Sequence, residues 1–166
     1  MFDPSERTRE LVVRTEPTEL RRPTNLEDLA RLTSLADQHL SGWLYWAYKL
    51  WHDPTGGANE GLFSDDAKLS SVKKAKLAVL VHPYPQAIAG VPTSMSWHAT
   101  KRVLQFSYTP DRTTGLTDVF LPPLTCSSGC PVKVTGGNVV RRTENHAYVD
   151  ARGGATTVTV TVTAGS

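Results

Sequence analysis

The spacing of hydrophobic positions changes about halfway along the chain. Up to about residue 81 they recur at helical intervals; beyond it they alternate in short runs broken by glycine and proline. The first segment that reads as an element is a helix over residues 25 to 40. Thr24-Asn25-Leu26-Glu27 has the form of a capping box, with Thr24 as the cap and Glu27 reaching back to it. Leu29, Leu32, Leu35, Ala36 and Leu40 follow at spacings of three and four, which makes one apolar face, and Gly42 is placed to end the helix. The next stretch, Trp43-Leu44-Tyr45-Trp46-Ala47-Tyr48, is apolar on both faces instead of alternating. Strands buried on both sides in a parallel sheet read this way, and one helix–strand unit is only half of an α/β repeat. Residues 52–68 are loop-like, rich in Gly and Asp. A second helix is predicted over 69–81, with Leu69, Val72, Leu77, Leu80 and Val81 as its apolar contribution, ending before Pro83.

From residue 82 the pattern is β. Candidate strands run over 93–97, 103–108, 118–121, 132–135, 146–150 and 156–162. In the last, Val158, Val160 and Val162 alternate with Thr157, Thr159 and Thr161, so one face is buried and the other wet. Gly136-Gly137-Asn138 has the composition of a hairpin turn. This many short strands between turn residues predict an antiparallel sandwich of about 80 residues. Trp97, Phe106, Tyr108 and Phe120 are expected in its core rather than on an interaction face.

Composition mostly excludes. A 166-residue chain has room for one ordinary domain or a small domain with an appended fragment. A net charge of +2 is too mild to argue for a nucleic-acid partner, and Lys73, Lys74, Lys76, Arg141 and Arg142 read as solvated faces. No run approaches the roughly 20 apolar residues that a transmembrane helix requires, and MFDPSERTRE is not a secretory leader. The five histidines are scattered without ligand spacing, so no metal is expected. Nor is there a glycine-rich phosphate loop or a nucleophile elbow, and no cofactor is implied. Cys126 and Cys130, in CSSGC, favour a short-loop disulfide over two free thiols.

Two stretches carry a family resemblance: SGWLYWAYK and HPYPQAIAGVPTSMSW. The second is close to a pattern R-P-Y-P-x-A-[IV]-A-G-x-P, with His82 in the first position and Pro83, Tyr84, Pro85, Ala87, Ile88, Ala89, Gly90 and Pro92 matching. On these stretches residues 18–163 resemble the C-terminal portion of endoglycoceramidase-like enzymes of glycoside hydrolase family 5. That resemblance implies a mainly β chain: a C-terminal antiparallel β-sandwich over 82–166, preceded over 1–81 by a fragment of a (β/α)8 barrel. The fragment would hold one or two helices and, at SGWLYWAYK, the eighth barrel strand.

The chemistry so implied is retaining hydrolysis of the bond between a glycan and ceramide. It needs two carboxyl groups about 5–5.5 Å apart, both at the C-terminal ends of barrel strands. The acid/base belongs to the fourth strand, which this chain lacks. The family's nucleophile lies in a pattern close to T-E-F-G-A-T-D-N. Here Thr18-Glu19 is the best positional match, but Leu20-Arg21-Arg22-Pro23 replaces the small residues, and Glu16 is the runner-up. Both glutamates also read as solvated residues of a divergent N-terminus. In the family a tryptophan at the end of the eighth strand stacks on the sugar, which makes Trp46 the first choice for substrate contact, with Trp43 and Lys49 beside it. Alternation puts Trp43, Tyr45 and Ala47 on one side of the strand and Leu44, Trp46 and Tyr48 on the other. The implied partners are a glycolipid or steryl glycoside, the rest of the barrel if encoded separately, and a peripheral membrane contact. The family implies secretion. Two other readings stay open: a non-catalytic sandwich module, and an inactive truncated gene product.

Overall fold

The computed structural model describes residues 25–45, 47–49, 61–111 and 113–165. Glu16, Glu19, the cap Thr24 and Trp46 lie outside that set.

Helix α1 spans Asn25–Gln38. Its end is made by Leu40, two residues earlier than the glycine suggested. Leu40 adopts a left-handed φ of 53°, and the Ser41 N–H donates to the Ala36 carbonyl at 2.9 Å. That 6→1 bond closes the helix in the way a C-terminal glycine usually does. The leucine face is not the one the helix buries. Leu32 and Leu35 are exposed, whereas Thr33 and Asp37, one turn apart, are buried. Thr33 tolerates burial because its hydroxyl donates back to the Leu29 and Ala30 carbonyls at 3.1 Å.

The stretch expected as a barrel strand forms no ladder among the described residues. Its carbonyls at Ala47 and Tyr48 share the Leu62 N–H, each at 3.3 Å. A parallel strand is held by neighbours on both sides, and the described residues supply none. The side pattern is nevertheless the alternating one. Ala47 is buried and Tyr45 half-buried, while Leu44 is fully exposed and Tyr48 largely so. The second helix is shorter than predicted. A 3-10 turn at Leu69–Ser71 is followed by helix α2 at Lys74–Leu80. Between them Val72 bridges to Phe63, and the Ser71 hydroxyl bonds the Asp65 and Lys68 carbonyls at 2.8 Å. Serine competing for main-chain partners breaks the helical run there. Lys76, expected in solvent, is buried and donates to the Tyr45 hydroxyl at 2.8 Å.

Eight strands follow: β1 Tyr84–Ala87, β2 Gly90–His98, β3 Val103–Pro110, β4 Thr117–Phe120, β5 Val132–Thr135, β6 Gly137–Arg142, β7 His146–Ala151 and β8 Val158–Thr163. A one-turn helix α3, Pro123–Cys126, lies between β4 and β5. The strands form two antiparallel four-stranded sheets, β1-β4-β7-β6 and β2-β3-β8-β5. Two prolines sit where a ladder tolerates them: Pro85 in β1 and Pro92 in β2 are on edge strands, each beside a register shift.

The glycine-rich turn at 136–138 is not a hairpin. β5 pairs with β8 and β6 with β7, so the chain changes sheets there. Gly136 makes the corner at φ 77°, and a Cβ on it would lie 2.2 Å from the Thr157 carbonyl oxygen. Gly90 makes the matching corner between β1 and β2. Between the sheets lies one core, in which Leu104, Phe106, Tyr108, Val119, Val149, Val158, Val160 and Val162 are fully buried. Phe120 is outside it, on the outer face of the first sheet against Tyr84 and His146. Cys126 and Cys130 are joined, with S–S 2.02 Å, beside this core.

Candidate functional site

Polar groups collect where α1, α2 and the first two strands meet. Pro83 follows α2 and holds the chain extended, which turns His82 inward. The ring is 5% exposed, its Nδ1 lies 2.9 Å from the Pro83 carbonyl oxygen, and it stacks on Trp97 of β2 at 5.0 Å and 12°. Nε2 is buried and makes no hydrogen bond. Asp37 enters from the last turn of α1, buried. Burial raises its pKa above the ordinary carboxylate value; the neighbouring His82 and the Trp97 main-chain N–H pull the other way. Helix α1 therefore meets β2 with Thr33 and Asp37 buried and Leu32 and Leu35 exposed.

A cleft of about 500 Å³ opens beside this cluster. Asp37 and His82 contribute to its wall, with Leu40, Leu80, Ile88 and Met95 as apolar lining and Trp43 and Tyr84 also around it. Trp43 and Tyr84 are 39% and 43% exposed, so both keep a solvent-facing side.

The sequence-derived residues are not gathered in one place. Trp43 lines the cleft. The Lys49 ammonium lies over the Tyr48 and Phe63 rings at 5.9 and 5.6 Å. Glu19 and Trp46 fall outside the described residues. Several described carboxylates have partners of their own: Asp65 pairs with Lys68 at 2.9 Å, Asp118 with His146 at 2.8 Å, and Asp111 accepts from Thr113. The Asp118–His146 pair lies in an aromatic row on the outer face of the first sheet. Arg141 covers Tyr148 at 3.7 Å at one end, and Tyr84 meets Phe120 at 5.4 Å at the other.

The Asp37–His82–Trp97 cluster has no sequence motif, because its members come from three elements. Its one local signal is the burial-compatible pair Thr33 and Asp37 at helical spacing.

Three comparisons bear on this arrangement. The family model described as the glycoside hydrolase family 5 C-terminal domain matches residues 82–163. Endoglycoceramidase I of Rhodococcus hoagii (strain 103S) is 32% identical over 118 residues, 70% of this chain and 20% of that protein. The solved endoglycoceramidase II from Rhodococcus sp. superposes with a TM-score of 0.63 at 26% identity, over 87% of this chain and 30% of that one. Cryptococcus neoformans sterylglucosidase 1, at 15% identity and a TM-score of 0.64, shares the fold over 83% of this chain and 23% of its own. The chain thus spans less than a third of the length of these relatives.

Proposed function

Residues 82–163 belong to the family of glycoside hydrolase family 5 C-terminal domains, and from that premise we propose that the chain completes a retaining glycosidase acting on glycosphingolipids. In this reading residues 1–81 are the end of a (β/α)8 barrel and residues 82–166 are the sandwich packed on it. The observation that carries it is the orientation of residues 43–48. Tyr45 and Ala47 turn toward the chain's own helices, with Lys76 of α2 bonded to the Tyr45 hydroxyl. Leu44 is fully exposed and Tyr48 largely so, its ring edge-on to Phe63 at 5.2 Å. In a barrel strand the side opposite the helices faces the interior, where substrate enters. Trp46 shares the parity of Leu44 and Tyr48, which supports it as the sugar-stacking residue over Trp43.

The similar endoglycoceramidase II has been solved with ganglioside GM3 and as a lactosyl-enzyme intermediate. A covalent glycosyl-enzyme is the mark of retention with a carboxylate nucleophile. Glu19 is the position we assign to that nucleophile, and the acid/base comes from barrel strands beyond this chain. The protein acts outside the cytosol, a reading supported by the Cys126–Cys130 disulfide.

A chimera tests the proposal. Residues 18–163 replace the corresponding segment of endoglycoceramidase I, and release of oligosaccharide from GM3 is measured. Release is expected, falling by at least ~10³-fold in Glu19→Gln, whereas the 166-residue chain alone releases none. A folded chimera without activity would overturn the reading.

A further inference from the structure

The outward positions of a sheet in a sandwich are mostly polar, yet on the first sheet rings stand there on three neighbouring strands. Helix α1 packs on β2, in the other sheet, and Tyr84 is exposed while Phe120, His146 and Tyr148 are half-buried. Ladder pairing sets these residues in register. Tyr84, Phe120 and His146 are opposite one another across β1, β4 and β7, and Asp118, Tyr148 and Arg141 across β4, β7 and β6. From Tyr84 to Tyr148 the rings follow one another at 5.4, 5.4 and 6.0 Å. Polar groups are set into the same strip. Asp118 Oδ1 accepts from His146 Nδ1 at 2.8 Å, and the two side chains keep 21% and 26% exposure. Asp118 Oδ2 and His146 Nε2 bond nothing among the described residues, and neither atom is buried. Arg141 lies over the Tyr148 ring at 3.7 Å, and its N–H groups hydrogen-bond to no described residue.

That combination selects the partner. An apolar protein face or a lipid tail would strip water from Asp118, His146 and Arg141 and bond none of them. A sugar brings flat C–H faces for the rings together with hydroxyls that both donate and accept. Four rings in succession suit a short chain of sugars rather than a single one. We propose that this face binds an oligosaccharide. Its sugar rings rest on Tyr84 and Phe120, and its hydroxyls donate to Asp118 Oδ2, accept from Arg141 and bond His146 Nε2. The site uses neither Glu19 nor Trp46, so its failure and that of the glycosidase reading are separable.

The test uses the full 166-residue chain, ¹⁵N-labelled and titrated with lactose, cellobiose and 3′-sialyllactose. Sorbitol serves as the polyol with hydroxyls but no ring, and decaproline as a peptide alternative. With at least one sugar, amide shifts are expected at Asp118, Phe120, His146 and Tyr148, saturating with a Kd of about 10 mM or tighter. Sorbitol should shift none of them at the same concentration. Asp118→Asn exchanges an acceptor for a donor, and Tyr84→Ala removes an exposed ring. Each should weaken that sugar roughly 2- to 10-fold, the range of one hydrogen bond or one ring contact, while Leu32→Lys on α1 leaves it unchanged. The dispersion of each variant's own spectrum reports its folding. No saturable shift with any sugar, equal shifts with sorbitol, shifts confined to other surfaces, undiminished affinity in both folded variants, or decaproline alone moving these amides would each overturn the proposal.

Discussion

Asp37 shows how a single side chain ties the two halves of the described structure together. Its raised pKa means the folded state holds the proton more tightly than the unfolded chain does. Stability from this group is therefore greatest at low pH, and it is lost as pH rises from the ordinary carboxylate value of 3.8 through the raised value. Asp37→Asn keeps an acceptor for the Trp97 N–H but cannot ionise. The melting temperature of the wild type should fall relative to Asp37→Asn across that window; a constant difference would exclude the linkage. Two packing residues have effects of known size. Phe106→Ala removes a fully buried ring from the core and is expected to cost about 3–5 kcal/mol in denaturant unfolding. Gly136→Ala places a methyl on the Thr157 carbonyl at a left-handed φ and should cost about 2 kcal/mol or more by the same measurement.

Among the elements, those with an internal period were readable from sequence and those defined by distant partners were not. β8 is buried at Val158, Val160 and Val162 as alternation requires. β3 and β5 also fall where the pattern put them. β1 and β6 were missed. β1 is four residues with a proline and no alternation, and β6 starts inside what looks like a hairpin turn. The residue that distinguishes corner from hairpin is Thr157, far away in sequence, whose carbonyl closes on Gly136. The candidate site was hidden for a similar reason, since His82 and Asp37 acquire meaning only when α1 docks on β2. The leucine spacing of helix α1 named Leu32 and Leu35 for burial, and both are exposed. Leu32→Lys is expected to change the chain's own stability by less than about 0.5 kcal/mol. In the barrel chimera the same substitution should lower expression or melting temperature, because there the leucine face has something to pack on.

At the scale of the molecule the two ends of the chain differ in how they are held. Among the described residues 43–45, 47 and 48 form no ladder, whereas β3 is paired on both sides, with β2 and with β8. Hydrogen exchange should be fast at Trp43–Tyr48 in the isolated chain and slowest at Phe106 and Val160. Slow exchange across 43–48 in a monomer would contradict this expectation. The contrast accounts for how the family resemblance divides. The family model matches the sandwich, residues 82–163, and does not extend to residues 43–48.

The two glycine corners have a kinetic consequence. Because the chain changes sheets at Gly90 and again at Gly136, strands on either side of each corner find their partners in different layers. The first sheet draws on β1, β4, β6 and β7, the second on β2, β3, β5 and β8. Neither layer is a contiguous stretch of chain, so neither can assemble ahead of the other from local pairing. Loop closure must be met before most of the pairing is gained, which places refolding in the range of milliseconds to seconds. The same interleaving lets the layers dissolve only together, as one cooperative transition.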